Sequence, residues 1–268
     1  MRRVHLSFAI LIAAQLAALT AAPAAARSVQ ESAGWEFNLV PYLWMAGSST
    51  RLAHPAFPLA VEADSSFGDI LGNLDFGAMV AFEARRGRWG LLLDGLYVKV
   101  SEDGMVAIPQ LGGARLPVAV GVRSFTGLAG VQYRLVADGI GSLDLVAGPR
   151  FWSLGSSINA AFPSGTPLPP GVPPSYSRRE TVDWVDAMAG AKAVVNLAPR
   201  ITLNAHAMFG AGGSRFSSDS LLAVGFRAGR STSLLAGYRH LSAEVHRSNG
   251  LDVDTRMHGP AVGASIRF

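Results

Sequence analysis

Along most of the chain, apolar and polar residues alternate with a period of two. That is the spacing of a β-strand with one face in an apolar phase. In Asp75–Arg86, Phe76, Ala78, Val80, Phe82 and Ala84 share one face, and Gly77, Met79, Ala81, Glu83 and Arg85 share the other. Trp89 to Val100 sets Trp89, Leu91, Leu93, Gly95 and Tyr97 against Asp94. Arg86-Gly87-Arg88 between these segments predicts a tight hairpin with glycine at its centre. The same alternation predicts strands over 124–135, 143–154, 183–197, 201–209, 221–228 and 233–241. Their polar faces carry Arg134, Asp144, Arg150, Asp186, Lys192, His206, Arg227 and Arg239. Segment 35–44 opens the series, and 259–268 closes it with Val262, Ala264, Ile266 and Phe268 against Ser265 and Arg267.

This gives about ten strands, with eight or twelve as the alternatives. Many approach the ~9–11 residues that cross a bilayer at a tilt. The connections alternate in length. Short ones fall at 86–88, 137–142, 198–200 and 229–232, and long ones at 45–74, 101–117, 157–181, 211–218 and 242–257. A soluble sandwich gives no reason for every long loop to fall at one end. An outer-membrane barrel does, with short turns toward the periplasm and long loops outside. The predicted fold is therefore all-β: a transmembrane, up-and-down antiparallel barrel over residues 35–268.

Composition and the leading residues narrow the choice. Residues 1–26, MRRVHLSFAILIAAQLAALTAAPAAA, read as a secretory signal peptide: two arginines, an apolar stretch and a small-residue cleavage site. Residues 27–34 then form a short periplasmic segment. Removing the leader takes away two arginines and no acids, so the formal charge of +4 falls to +2. With two lysines and no long basic run, nucleic acid is not an expected partner. The chain has 49% hydrophobic and 16% charged residues, which excludes disorder. It has no cysteine, which excludes a disulfide scaffold, thiolate metal sites and a cysteine nucleophile.

In such a barrel the apolar faces meet lipid, with aromatics such as Trp89, Tyr97, Tyr133, Phe209 and Tyr238 toward their ends. The polar faces then line the lumen. They hold Glu83, Arg85, Asp94, Arg134, Asp144, Arg150, Asp186, Lys192, Arg227, Arg239 and Arg267, which are expected to pair with one another because buried charge is tolerable only when paired. A barrel this small fills its own interior.

Several stretches resemble a family of Gram-negative outer-membrane β-barrel proteins of uncharacterised function. They are Pro41-Tyr42-Leu43-Trp44, FGDILGNLDFGAMVAFEARRGRWGLLLDGLYV (67–98), WVDAMAGAK (184–192), GYRHL (237–241) and MHGPAVGASIRF (257–268). They sample nearly the whole chain after the leader. Where that family tends to have proline and arginine in the WVD segment, this chain has Ala187 and Lys192; Gly212-Gly213 is kept. The resemblance implies a barrel fold and no particular reaction. The final strand, with Val262, Ala264, Ile266 and Phe268, resembles the tail read by the barrel-assembly machinery. The implied partners are that machinery, periplasmic chaperones, outer-membrane lipid and lipopolysaccharide.

Two catalytic readings compete with a non-enzymatic envelope barrel or very narrow pore. His246-Arg247-Ser248-Asn249-Gly250 resembles the His-x-Ser-Asn motif of lipid A deacylases, with Glu244, Asp252 and Asp254 nearby. The pairs Asp183/Asp186 and Asp252/Asp254 resemble the acidic pairs of omptin proteases. The first segment also reads as a turn, and Asp186 as the partner of a lumen arginine. His206 is expected to serve a structural hydrogen bond. No phosphate loop, metal spacing or dinucleotide fingerprint is present, so no cofactor is expected. Phe67, Ile70, Leu71 and Leu74 have one-face helical spacing and predict a short helix packed at the rim, with a plug folded into the mouth as the alternative. The Pro/Gly-rich run 163–174 is excluded from a sheet interior.

Overall fold

A computed structural model describes residues 34–53, 61–108, 114–162, 173–246 and 252–268. The leader, residues 27–33, most of the Pro/Gly run, His54 and Ser248 lie outside the described residues.

The strands are β1 (Glu36–Trp44), β2 (Gly47–Ala53), β3 (Val61–Ser65), β4 (Leu74–Arg86), β5 (Trp89–Ile108) and β6 (Ala114–Ala137). They continue with β7 (Gly141–Ala161), β8 (Ser175–Ala198), β9 (Ile201–Gly212), β10 (Phe216–Arg227), β11 (Thr232–His246) and β12 (Asp252–Arg267). Ten of them, β1 and β4 to β12, form a closed antiparallel barrel, because β1 pairs with β12 as well as with β4. Phe37 and Phe268 exchange two backbone hydrogen bonds of 3.1 Å at this junction. Gly87, with φ of 58°, makes the β4–β5 turn.

The polarity of the wall is inverted relative to a soluble barrel. Leu93 and Val131 expose 47% and 48% of their surface on the outside, while Arg150 exposes none on the inside. Aromatic rings gather near the short-turn end: Phe37 stacks on Phe82 (6.1 Å) and Phe268 (5.7 Å), and Trp89 meets Tyr133 edge-on at 4.9 Å. Phe76 and Tyr97 pair higher on the wall, at 5.9 Å. An apolar exterior of this extent around a charged interior requires surrounding hydrocarbon, so the barrel spans a bilayer. No helix among the described residues is long and apolar enough to cross one.

The long connections differ from the sequence expectation. Residues 101–108, 114–117, 157–161 and 175–181 are strand, because β5, β6, β7 and β8 run for 20, 24, 21 and 24 residues. About ten residues suffice for the bilayer, so these four strands continue well beyond it. Outside hydrocarbon the backbone ladder still favours a strand, but neither face needs apolar residues, and the alternation fades. The 45–74 connection likewise holds structure. β2 continues along β12 in the register of β1, and β3 folds back onto β2. Then comes α1 (Phe67–Gly72), with no buried residue, at the rim rather than inside the barrel. Ser66 and Asp69 form its capping box, and hydrogen bonds from Ser66 hold the Asp69 carboxyl below its usual pKa.

Some strands approach closely enough that only glycine fits. A Cβ at Gly190 would lie 2.0 Å from the Ala207 carbonyl oxygen. Replacing Gly190 with valine is expected to destabilise the barrel by at least about 3 kcal/mol, the upper range for overpacking. Urea unfolding from lipid vesicles would measure it, and an unchanged midpoint would refute the close approach.

Candidate functional site

Inward-facing positions on successive strands stack the lumen into tiers. Near the short turns, Asp144 on β7 accepts from Arg85 on β4 (2.8 Å) and from Arg134 on β6 (2.8 and 3.1 Å). Arg85 also donates to Gln132 (3.1 Å). Lys192 on β8 donates to Glu83 on β4, a reach across the barrel, since β5, β6 and β7 lie between them in the wall. Above sits an apolar cluster of Leu128, Val146, Met188 and Met208, with Leu92 against it.

The middle tier centres on Asp219 of β10. It accepts from Arg239 of β11 through two hydrogen bonds (3.1 and 2.8 Å), from Arg150 of β7, and it meets His206 Nε2 of β9 at 3.1 Å. Arg239 then reaches over β12, β1 and β4 to donate to Asp94 of β5. Its Nη1 donates to Tyr42 Oη (2.8 Å), which itself donates to Asp94 Oδ1 (2.8 Å). Two carboxylates and two guanidiniums thus neutralise one another in a water-poor interior. Asp94, Asp219 and Arg239 each have more than one partner, whereas Arg150 reaches Asp219 through Nη2 alone and buries its Nε and Nη1 without one among the described residues.

A second apolar cluster caps this tier: Trp44, Leu96, Trp152, Trp184 and Leu241 with Ala243 and Val245. Trp152 and Trp184 stack at 5.2 Å, and the Arg239 guanidinium lies 5.4 Å from the Trp44 ring. The lumen is therefore not uniformly ionic. Leu92 and Leu96 share the inward face with Asp94, so ions alternate with grease along the axis.

Nine of the eleven charged residues expected in the lumen face inward there. Arg227 and Arg267 do not join a buried pair: both are exposed at the short-turn end, where their strands finish. Asp186 is fully buried, but its partners are the Ser214 amide (2.7 Å) and the Trp184 indole (3.2 Å) rather than an arginine. Asp219 and Tyr42 went unread in the sequence. Asp219 lies where the 211–218 loop was expected to end, with Ser217, Ser218 and Ser220 around it masking the strand; the strand starts at Phe216.

Among the described residues, the acidic pairs of the protease reading do not come together, and Ser248 of the deacylase reading lies outside them. Asp183 faces outward and Asp186 inward, as an odd separation of three residues along β8 requires, so they are not a pair. His246 contacts Asp252, but this pair lies on the outer surface, with side chains 64% and 58% exposed. Asp254 pairs with Arg256 at 2.6 Å. Among the described residues no three His, Asp or Glu side chains are grouped to hold a metal.

No protein-family model matches the chain, and no curated relative matches it in sequence. Solved structures do match. The outer membrane protease OmpT from Escherichia coli aligns with 90% of this chain and 99% of its own, at 8% identity and a TM-score of 0.55. The translocator domain of the autotransporter NalP from Neisseria meningitidis covers 98% and 97%, at 13% identity and TM-score 0.43. Ail from Yersinia pestis covers 88% and 100%, at 12% and 0.33. The chain has the fold of the Gram-negative outer-membrane β-barrels.

Asp219→Ala strands Arg150 and Arg239 without their shared counter-ion. It is expected to cost about 3–5 kcal/mol, the penalty for breaking a buried pair. Arg227→Gln, at an exposed site, is expected to change stability by less than about 0.5 kcal/mol. Unfolding of the two variants in vesicles compares them directly, and equal losses would refute a central role for Asp219.

Proposed function

We propose that this protein is a sealed, non-enzymatic barrel of the outer membrane, acting as a structural or surface element of the envelope. The observation that carries this is the bridging of the lumen by Arg239–Asp94 and Arg150–Asp219 between two apolar clusters, with Lys192–Glu83 bridging it again toward the short turns. Ion pairs that neutralise one another leave no net field to draw an ion through, and the packed tryptophan and methionine tiers leave no continuous aqueous column. The barrel-assembly machinery and periplasmic chaperones would serve it as they serve other exported barrels.

The competing reading is an enzyme acting on lipid A or peptides. Its protease form is weakened by the opposite faces of Asp183 and Asp186.

Purified protein in a planar bilayer is expected to show no steady conductance steps; stable ohmic channels would overturn the sealed reading. Lipid A from cells producing the protein is expected to keep its acyl number in mass spectra. Loss of a chain that depends on Ser248, tested with Ser248→Ala, would establish the deacylase instead.

A further inference from the structure

The outer wall formed by β10, β11, β12 and β2 changes character abruptly along its height. Register fixes which outward side chains share a row. Leu222, Tyr238 and Pro260 make an apolar row, with Leu222 and Tyr238 more than half exposed. The next row toward the long-loop end is Ser220, His240, His258 and Gly47. The row above it is Ser218, Ser242, Arg256 and Ser49. These two rows contain no acid. The acids stand around them: Glu244 and Asp254 in the row beyond, with Arg51, and Asp64 across from Ser49 on β3.

The side chains are arranged as anion ligands. The His240 and His258 rings are parallel, 6.4 Å apart. Tyr238 Oη lies 2.7 Å from His258 Nδ1, which orients that ring and leaves its Nε2 for a ligand. Arg256 gives one nitrogen to Asp254 Oδ2 (2.6 Å) and keeps the rest of its fork, with 42% of its side chain exposed. The serine hydroxyls either donate or accept, and Ser218 and Ser242 already contact each other at 2.8 Å.

We propose that this patch binds the phosphate of a phosphorylated glycolipid in the leaflet at the long-loop side, with the lipid's acyl chains lying on the Leu222–Tyr238 row below. The position argues for a lipid rather than a free phosphate: the imidazole and hydroxyl rows, with Arg256 as their one guanidinium, sit directly above lipid-facing apolar surface. The proposal rests on the bilayer-spanning reading of the barrel and deepens it by naming a site on the outer wall.

Native mass spectrometry of the full chain in detergent tests it, using bis-phosphorylated lipid A, the same lipid A after dephosphorylation, and inorganic phosphate. The phosphorylated lipid is expected to bind at least tenfold more tightly than the dephosphorylated one. The double variant Arg256→Gln/His258→Gln is expected to remove that preference. Lys99→Gln/Arg123→Gln, on a distant part of the wall, is expected to leave it intact. Equal binding of both lipids, an unaffected Arg256→Gln/His258→Gln variant, or inorganic phosphate binding as tightly as the lipid would each overturn the site. Insertion into vesicles is scored separately, by protection of the wall strands from protease. A chain that inserts but does not discriminate refutes this site alone, whereas a chain that does not insert refutes the bilayer reading and the site with it.

Discussion

Everything in this structure follows from the cost of an unpaired peptide group in hydrocarbon. Each such N–H or C=O costs several kcal/mol where water is absent. A sheet meets that constraint only by having no edge, and β1 supplies the closure by pairing with β4 on one side and β12 on the other. Pro41 sits within β1 without an N–H to contribute, and pairing with β4 stops at that residue. Beyond it β1 continues along β12 alone, and Trp44 gives its amide hydrogen to the Met79 sulfur (3.2 Å) instead of to a strand. The seam is thus held partly by ladder and partly by side chains.

Closure creates the second problem, an interior too narrow for bulk water and lined by every other residue of each strand. The chain fills it with alternating ionic and apolar tiers. Asp219 holds the middle tier because three neighbouring cationic or imidazole groups converge on it from β7, β9 and β11. Low local dielectric strengthens these contacts and equally magnifies the cost of any lone member. The tryptophan cluster above and the methionine cluster below exclude the water that would otherwise weaken the ion pairs.

The sequence was legible where the bilayer imposes a rule and silent elsewhere. Inside hydrocarbon one face must be apolar, so the period of two appears plainly in 75–86 and 89–100, and Glu83, Arg85 and Asp94 could be assigned to the interior. Beyond the bilayer the rule lapses, and the outer halves of β5 to β8 looked like loops. Asp219 was hidden by the serines around it, which give no apolar alternation to mark the start of β10. Arg227 and Arg267 had the correct parity for the lumen but stand at strand ends, where parity no longer implies burial. The indole of Trp184 and the Ser214 amide satisfy Asp186, a pairing between backbone and side chain that no charge pattern can reveal.

The unequal strand lengths give the molecule a lopsided outer profile. β6 and β8 are 24 residues long, whereas β9 and β10 are 12 and turn back at 213–215. At ~3.3 Å per residue, one flank stands tens of ångströms taller along the strand direction than the other. A bulky molecule approaching from outside meets a palisade on the β5–β8 flank and a low sill above β9 and β10. Among the described residues, the mouth of the barrel is therefore open on the side of that sill and walled on the side of the tall flank.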